Sequence, residues 1–343
     1  MSESETSGTI LVVDDIESIR FAIAEYLAND FRVIEASDGF EAMSICENEK
    51  VDLVISDIRM PGMGGLQLIR LLTPKYPEMQ FALMTAYNVD DYIEFVRNEN
   101  IWNIIPKSTF LDLKYILVMA RKLLGNNIFG IHHYFPEIGY EDVSLSTLHR
   151  MHRNPDETPL MPDVFYTCHV TTVEENNVIC DMIGEVLHRA GAPSVIRMVI
   201  EELAANAMLH APGRTREERE AMQQQARKSG PVPVDHPAMA EEDAFQISFG
   251  LLSGQAVIAV TDFHGTLDRD EVLYRLERQV TVDGDNNLPV GLTDFHGRGL
   301  YISREQVDHL IFNIAPDRKT EIIGILPLDT NVRSRAISIF QKK

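Results

Sequence analysis

Four stretches of this sequence place a chemically useful side chain at the end of a short apolar run. Thr9-Ile10-Leu11-Val12-Val13 ends in Asp14-Asp15, the run from Val51 to Ser56 ends in Asp57, Phe81 to Met84 ends in Thr85, and Trp102 to Ile105 is followed by Pro106-Lys107. Short apolar runs bounded by turn signals read as strands buried on both faces, the kind found in parallel sheets. Ligands of such sheets bind at the carboxyl ends of the strands, so three acids, a hydroxyl and an ammonium are expected along one edge. Carboxylates about 5 Å apart repel by roughly 3 kcal/mol per pair at an effective dielectric of 20, so the cluster favours a divalent cation or raised pKa values. A few hard oxygen ligands with room for water and a phosphoryl oxygen suit Mg²⁺. A carboxylate held there can accept a phosphoryl group while the cation, the lysine and the hydroxyl meet the transferred charge.

The elements that must hold these residues alternate regularly. Helical spacing covers Ile16 to Leu27, a strand follows at Phe31 to Glu35, and further helices are predicted over Gly39 to Glu47, Leu66 to Leu72, Val89 to Val96 and Leu111 to Leu124. Strand and helix succeed each other five times, which predicts a five-stranded parallel α/β sheet with helices on both faces. Residues 8–125 thereby resemble a response-regulator receiver domain, a flavodoxin-like, doubly wound fold. The resemblance implies that Asp57 is the phosphoacceptor and that Asp14 and Asp15, with Asp57 and the Arg59 backbone carbonyl, hold Mg²⁺. It also implies that Thr85 is the hydroxyl that reports phosphorylation, that Lys107 pairs with the phosphate, and that the partner is a cognate sensor histidine kinase. Two positions depart from the family: Ser108 follows Lys107 where proline is usual, and Ile104 stands at the aromatic switch position.

The second half carries a different set. Glu202, Asn206 and His210 are spaced i, i+4, i+8 in a helix predicted over Pro193 to Ala211, which puts them on one face. A glutamate and an asparagine on an otherwise apolar side need partners, or they cost a buried polar group. Asp262 closes the run from Ala256 to Thr261 and is followed by Gly265, and His296-Gly297-Arg298-Gly299-Leu300 runs into a helix predicted over Tyr301 to Val307. Glycines at a helix start let backbone amides approach phosphate, and the helix dipole favours the anion. With strands expected at Val164 to Val170, Phe245 to Phe249, Leu310 to Ile314 and Thr320 to Leu326, and a helix over Val173 to Ala190, this half reads as α+β.

The ordered set Glu202/Asn206, Asp262/Gly265, Gly297/Gly299 and Thr320 resembles the Bergerat ATP-binding fold of DNA gyrase, histidine kinases and anti-sigma-factor serine kinases. The resemblance implies that Asn206 holds Mg²⁺, that Glu202 is the general base, and that Asp262 accepts from the adenine amino group. Gly297 and Gly299 would shape the phosphate loop, Gly265 the turn after Asp262, and Thr320 would lie near adenine. In the family a glycine usually stands two residues after the aspartate, where this chain has His264, and Phe295 replaces a glycine before the Gly297 turn. The lack of a histidine-bearing dimerisation hairpin makes the anti-sigma-factor kinases the most similar branch.

A length of 343 residues is more than one core usually fills. The expected organisation is a receiver at 8–125, a connector at 126–163, an ATP-binding kinase-like domain at 164–328 with an insertion at 212–242, and a basic tail at 329–343. A formal charge of −21 argues against a nucleic-acid partner, because phosphate backbones are bound through Lys and Arg. Cys46, Cys168 and Cys180 lack metal or redox spacing, and no apolar run approaches the roughly 18–20 residues that span a bilayer. A cytoplasmic protein without a membrane partner is expected. The expected function is a response regulator whose output is an ATP-dependent serine/threonine protein kinase acting on a partner such as an anti-sigma antagonist. Two rivals stand beside it: a non-catalytic switch that sequesters a sigma factor or another regulator, and a histidine kinase acting on a separate phosphoacceptor protein. Both families commonly dimerise, which leaves a homodimer open.

Overall fold

The computed structural model describes residues 8–85, 103–107, 111–125, 127–209, 243–280, 298–328 and 336–342. The chain divides into two compact units, residues 1–134 with 336–340, and residues 135–335 with 341–343.

In the first unit, β1 (Thr9–Val13), α1 (Glu17–Leu27), β2 (Arg32–Ala36), α2 (Gly39–Asn48), β3 (Leu53–Asp57), α3 (Gly65–Leu72), β4 (Gln80–Thr85), β5 (Asn103–Pro106) and α4 (Leu113–Leu124) follow one another. Their strands pair in parallel in the order β2-β1-β3-β4-β5. Every residue of β3 is buried, as its unbroken apolar run requires. The helices are amphipathic: α1 buries Ile23, Ala24 and Leu27, and α3 buries Leu68, Ile69 and Leu72. Asp38 and Asp112 cap α2 and α4 through backbone amides of Phe40, Glu41 and Tyr115. From β1 the chain winds first to β2 and then back to β3 on the other side, so the order reverses between β1 and β3. Open α/β sheets leave a crevice at that reversal, at the carboxyl ends of the two strands. The helix expected at Val89 to Val96, and Trp102, lie outside the described residues.

The second unit contains β6 (Gly139–Asp142), α5 (Leu145–Arg153), β7 (Val164–Val170), α6 (Val173–Arg189), α7 (Ile196–Leu209), β8 (Phe245–Leu252), β9 (Gln255–Asp262), α8 (Arg269–Val280), α9 (Arg298–Gln306), β10 (His309–Ala315) and β11 (Lys319–Pro327). Its sheet runs β10-β11-β9-β8-β7-β6, antiparallel throughout except for the parallel pair β6–β7. Helices α6 and α7 pack together, α5 lies on α6, and α9 packs on α7. The mixed sheet expected of this half is present. Ile196, Val199, Ile200, Leu203, Ala204 and Ala207 of α7 are all buried, the spacing of one helical face.

Three parts of the organisation differ from expectation. The connector expected at 126–163 is divided, because β6 and α5 fall in the second unit while Ile131–His133 form a 3-10 turn in the first. Strand β6 is exposed at all four positions, so it carries no hydrophobic alternation to read. The acidic span from Asp268 to Asp294, which the Bergerat resemblance would make a lid, opens with the three-turn helix α8, and its residues 281–294 lie outside the described residues. The basic tail expected at 329–343 contains a further strand, β12 (Ala336–Gln341), whose first five residues belong to the first unit and which pairs antiparallel with β5, Ile337 opposite Ile104 and Ser338 opposite Asn103. The insertion at 212–242 and His210 lie outside the described residues.

All three cysteines are buried free thiols, and burial pushes Cys46 up to about 11 and Cys168 and Cys180 up to about 12. They stay protonated and inert at neutral pH. Among the described residues no helix is long and apolar enough to cross a membrane. His132 and His133 lie ring to ring, 4.2 Å between centroids, and Nε2 of His133 is buried with no hydrogen-bond partner. Burial, then the charges of His132, Lys122 and Arg121, push His133 down to about 4. A free histidine titrates near 6.5, so the folded state resists protonation, and its stability contribution is complete above pH 6.5 and is lost as pH falls from there through about 4. Chemical denaturation of the full chain followed across that window should show a shallower acid loss in His133→Gln than in wild type.

Candidate functional site

The crevice at the ends of β1 and β3 collects the residues expected there. Asp14 is fully buried at the end of β1, Asp57 is 8 % exposed at the end of β3, and Asp15 is exposed beside them. One carboxylate oxygen from each lies within 4.8 Å of the others. Lys107, immediately after β5, reaches back with Nζ 2.6 Å from Asp14 Oδ2 and 2.9 Å from Asp57 Oδ1. The other oxygen of Asp14 accepts from the Ile16 amide at 2.9 Å, and Arg20 Nη1 donates to the Asp14 carbonyl at 2.7 Å. Thr85 is buried at the end of β4, and its carbonyl accepts from the Lys107 amide at 2.6 Å. In the β3–β4 ladder Asp57 stands opposite Met84, so Thr85 lies one residue further toward the crevice mouth. Arg59 is exposed two residues beyond Asp57.

Burial raises the Asp57 pKa above the carboxylate norm and the charge of Asp14 adds to this, while the hydrogen bond and charge of Lys107 oppose both. Three ionised carboxylates and one ammonium leave a formal charge of −2. Each carboxylate pair at 4.8 Å repels by roughly 3.5 kcal/mol at an effective dielectric of 20. A divalent cation brings the pocket to neutrality, and an all-oxygen donor set of this size fits Mg²⁺.

A family model described as the response regulator receiver domain matches residues 10–115. The N-terminal unit contains a receiver domain. Receiver domains bind Mg²⁺ at this acidic pocket and imply a sensor histidine kinase as partner. Over 125 residues the chain is 29% identical to a cyclic di-GMP phosphodiesterase of Thermotoga maritima, covering 36% of this chain and 33% of that protein. Over 95 residues it is 36% identical to the response regulator protein FleR of Pseudomonas aeruginosa (26% and 20%), and over 121 residues 30% identical to the sensor kinase CckA of Brucella abortus (34% and 13%). The chain therefore spans a third or less of the length of these curated relatives. Among solved structures, a CheY-like receiver domain protein of Methanospirillum hungatei is 25% identical with a TM-score of 0.32, over 34% of this chain and 93% of that one.

The second unit gathers the other expected set. Asp262, buried at the end of β9, accepts from the His264 and Gly265 amides through one oxygen, both at 3.0 Å. Gly265 has φ +64, and a Cβ there would lie 2.3 Å from the Ala315 carbonyl, so only glycine fits this corner. Thr320 faces Asp262 across the β9–β11 ladder, and its buried Oγ1 makes no hydrogen bond, although the hydroxyl is near enough to help offset the carboxylate charge. Burial nevertheless dominates and raises the Asp262 pKa. Asp262 lines a cleft with Leu203, Asn206, Ala207, Val260, Leu267 and Ile322, of ≈ 10 Å³, about the room one water needs.

One turn from Glu202 on α7, Asn206 donates from Nδ2 to the Glu202 carbonyl at 2.7 Å and accepts at Oδ1 from Arg275 Nη1 at 3.2 Å. Arg275, buried on α8, is also gripped by Glu271 Oε1 at 2.8 Å from Nε and 2.7 Å from Nη2. Glu202 is half-buried, its pKa raised by burial and then by Glu201. A Cβ on Gly299 would sit 1.8 Å from Glu202 Oε2, so the carboxylate packs directly against the backbone at the start of α9. Asn206 and Asp262 thus line one cleft, Gly265 and Thr320 adjoin Asp262, and Gly299 lies against Glu202 one turn along α7 from Asn206, while Gly297 lies outside the described residues. Sequence reasoning missed Arg275, whose only trace is its i, i+4 spacing from Glu271.

Calorimetry on the receiver pocket should show Mg²⁺ affinity falling at least tenfold in Asp14→Asn and rising in Lys107→Ala, which removes the resident positive charge. An unchanged affinity in both variants would place the cation elsewhere.

Proposed function

We propose that this chain is a response regulator in which Asp57 accepts a phosphoryl group from the phosphohistidine of a sensor histidine kinase. The observation that carries this reading is the pairing of Asp57 Oδ1 with Lys107 Nζ at 2.9 Å inside the three-carboxylate pocket. An oxygen of Asp57 attacks the phosphorus, an O–P bond forms, the P–N bond breaks, and its electron pair leaves on the imidazole. Lys107, already at the attacking carboxylate, follows the charge onto the new phosphoryl oxygens. Thr85 stands at the adjoining strand end to donate its hydroxyl to one of them. Bound Mg²⁺ supplies charge neutralisation at the same oxygens. Incubation with a phosphorylated histidine kinase should add one phosphoryl group to the wild-type mass and none to Asp57→Asn, while Lys107→Ala should gain it at least tenfold more slowly.

The second unit is proposed to bind ATP with Mg²⁺ as a protein-kinase-like output directed at a serine or threonine of a partner, such as an anti-sigma antagonist. What supports the nucleotide is the pairing of a buried carboxylate, Asp262, with an orphaned hydroxyl, Thr320, at the end of an apolar cleft. A purine amino edge offers a donor and an acceptor to that pair, and the Leu203, Ala207, Leu267 and Ile322 side chains suit its faces. At ≈ 10 Å³ the cleft must open to admit a base. Asn206 would hold the metal, Glu202 would take the proton of the attacking hydroxyl, and Gly297 and Gly299 would flank the phosphates.

One observation favours a second reading. Asn206 Oδ1 is already held by Arg275, so this unit also suits a switch that binds a partner, a sigma factor among the candidates, without turning over nucleotide. Titration with ATP and Mg²⁺ decides between them. Affinity should fall at least tenfold in Asp262→Asn, and labelled phosphate should reach a protein partner in wild type but not in Glu202→Ala. Absence of binding at millimolar Mg-ATP would sink the kinase reading and leave the switch.

A further inference from the structure

We propose that Arg275 is a built-in plug of the second unit: its guanidinium takes the place at Asn206 proposed above for the metal, so α8 must lift before Mg-ATP can enter. The inference rests on the nucleotide reading of this site and concerns how the site is kept shut.

Both ends of the Asn206 amide are engaged within the chain, Nδ2 with the Glu202 carbonyl at 2.7 Å and Oδ1 with Arg275 Nη1 at 3.2 Å. Asn206 is 6 % exposed and Arg275 5 %, so the contact lies in the interior. The amide oxygen has a second lone pair, but a dication and a guanidinium on one buried oxygen repel each other strongly at low dielectric. Arginine and metal therefore exclude one another at Asn206. The cleft that Asn206 lines has room of only ≈ 10 Å³, so the places for the base and for the metal are shut together.

Helix geometry brings the arginine there. Asp268 Oδ1 accepts from the Glu271 amide at 2.7 Å and starts α8 directly after Leu267, a residue of the cleft wall. Val272, Arg275 and Leu276 follow the i, i+3, i+4 spacing of one helical face, and all three are buried, while Tyr274 is exposed. Glu271 lies one turn before Arg275, the favourable order of acid and base along a helix, and grips Nε and Nη2. An ordinary ion pair of this spacing keeps its arginine in water. Here the charge is buried against a neutral amide oxygen, which returns less than the hydration it replaces. The arginine cannot turn away alone without breaking its contacts with Glu271, so it leaves with its helix.

Calorimetric titration of the full-length protein with ATP, with Mg²⁺ held constant in both solutions or withheld from both, tests this. Arg275→Met keeps the apolar stem and removes the charge, and it should bind Mg-ATP at least tenfold more tightly than wild type. The gain should vanish without Mg²⁺. Glu271→Gln leaves the arginine in place and loosens its clamp; it should show a smaller gain in the same direction, and it carries the test if Arg275→Met does not fold. Hydrogen exchange gives a readout that a merely bracing arginine would not move: saturating Mg-ATP should speed exchange of the α8 amides in wild type, because the helix lifts. Protection of α8 by Mg-ATP, or a gain in affinity that persists without Mg²⁺, overturns the plug. Equal or weaker affinity in both variants, with binding lost in Asp262→Asn, overturns it too and leaves the nucleotide reading standing. If neither wild type nor either variant binds Mg-ATP, the nucleotide reading fails and the plug with it.

Discussion

The position of Lys107 is the constraint on which the receiver depends. Its ammonium touches two carboxylates held by different strands, Asp14 just after β1 and Asp57 at the end of β3, and Lys107 itself follows β5. Three strands must therefore end at the same height. Parallel pairing in the order β1-β3-β4-β5 achieves this, with register fixed by strands buried on both faces. A one-residue slip would turn Asp57 to the other face of the sheet and leave a buried carboxylate without its lysine. The acidic pocket is thus as much a register device as a chemical one.

A similar arrangement of charge recurs in the second unit. There Arg275 holds Asn206, and Glu202 lies against the glycine that opens α9. In the receiver a basic side chain sits on oxygens of the Mg²⁺ pocket, and in the second unit one sits on the Asn206 oxygen that is proposed to hold a metal. The two differ in how firmly the base is held. Lys107 leans on acids that repel one another and gain from any added cation, so exchange for Mg²⁺ relieves the pocket. Arg275 is clamped by Glu271 from its own helix, and displacing it would leave that ion pair to be re-formed elsewhere. The physical demands on a ligand are therefore higher in the second unit than in the first.

Much of the receiver was legible because each functional residue sits at the end of a run of apolar residues, and such runs are read by type alone. Asp57 closes a five-residue strand, Leu53 to Asp57, with no exposed member, and that burial is written in the sequence as Leu-Val-Ile-Ser before it. Residues 10–115 also carry the family match. The second unit was legible in its elements, since α6, α7 and β7 to β11 carry clear periodicity, and Asp262 and Gly265 stand where a tight corner needs them. What was not legible depended on contacts distant in sequence. Arg275 reads as half of an ordinary helical ion pair until α8 is laid beside α7, which brings it to a residue 69 positions away. Strand β6 offered no pattern because no face of it is buried.

The C-terminal strand shows why composition misled. Lys342 and Lys343 at the very end give the last stretch a basic, solvated character, yet Ala-Ile-Ser-Ile-Phe just before them is a strand sequence with one polar residue. That serine is the residue a surface tail would tolerate anywhere and a buried strand only opposite a partner. Its partner, the Tyr115 hydroxyl, lies 223 residues away, and the pairing removes two polar groups from the cost of burial at once. Lys122 makes the same point from the other side. A lysine on the apolar face of a helix reads as a break in the amphipathic pattern, whereas in the structure its stem packs among aromatic rings and its charge rests against them. Each residue is anomalous within its own element and accounted for once the two elements meet. A domain boundary drawn at residue 125 leaves these two elements in different pieces, whereas the contacts group residues 336–340 with the first unit.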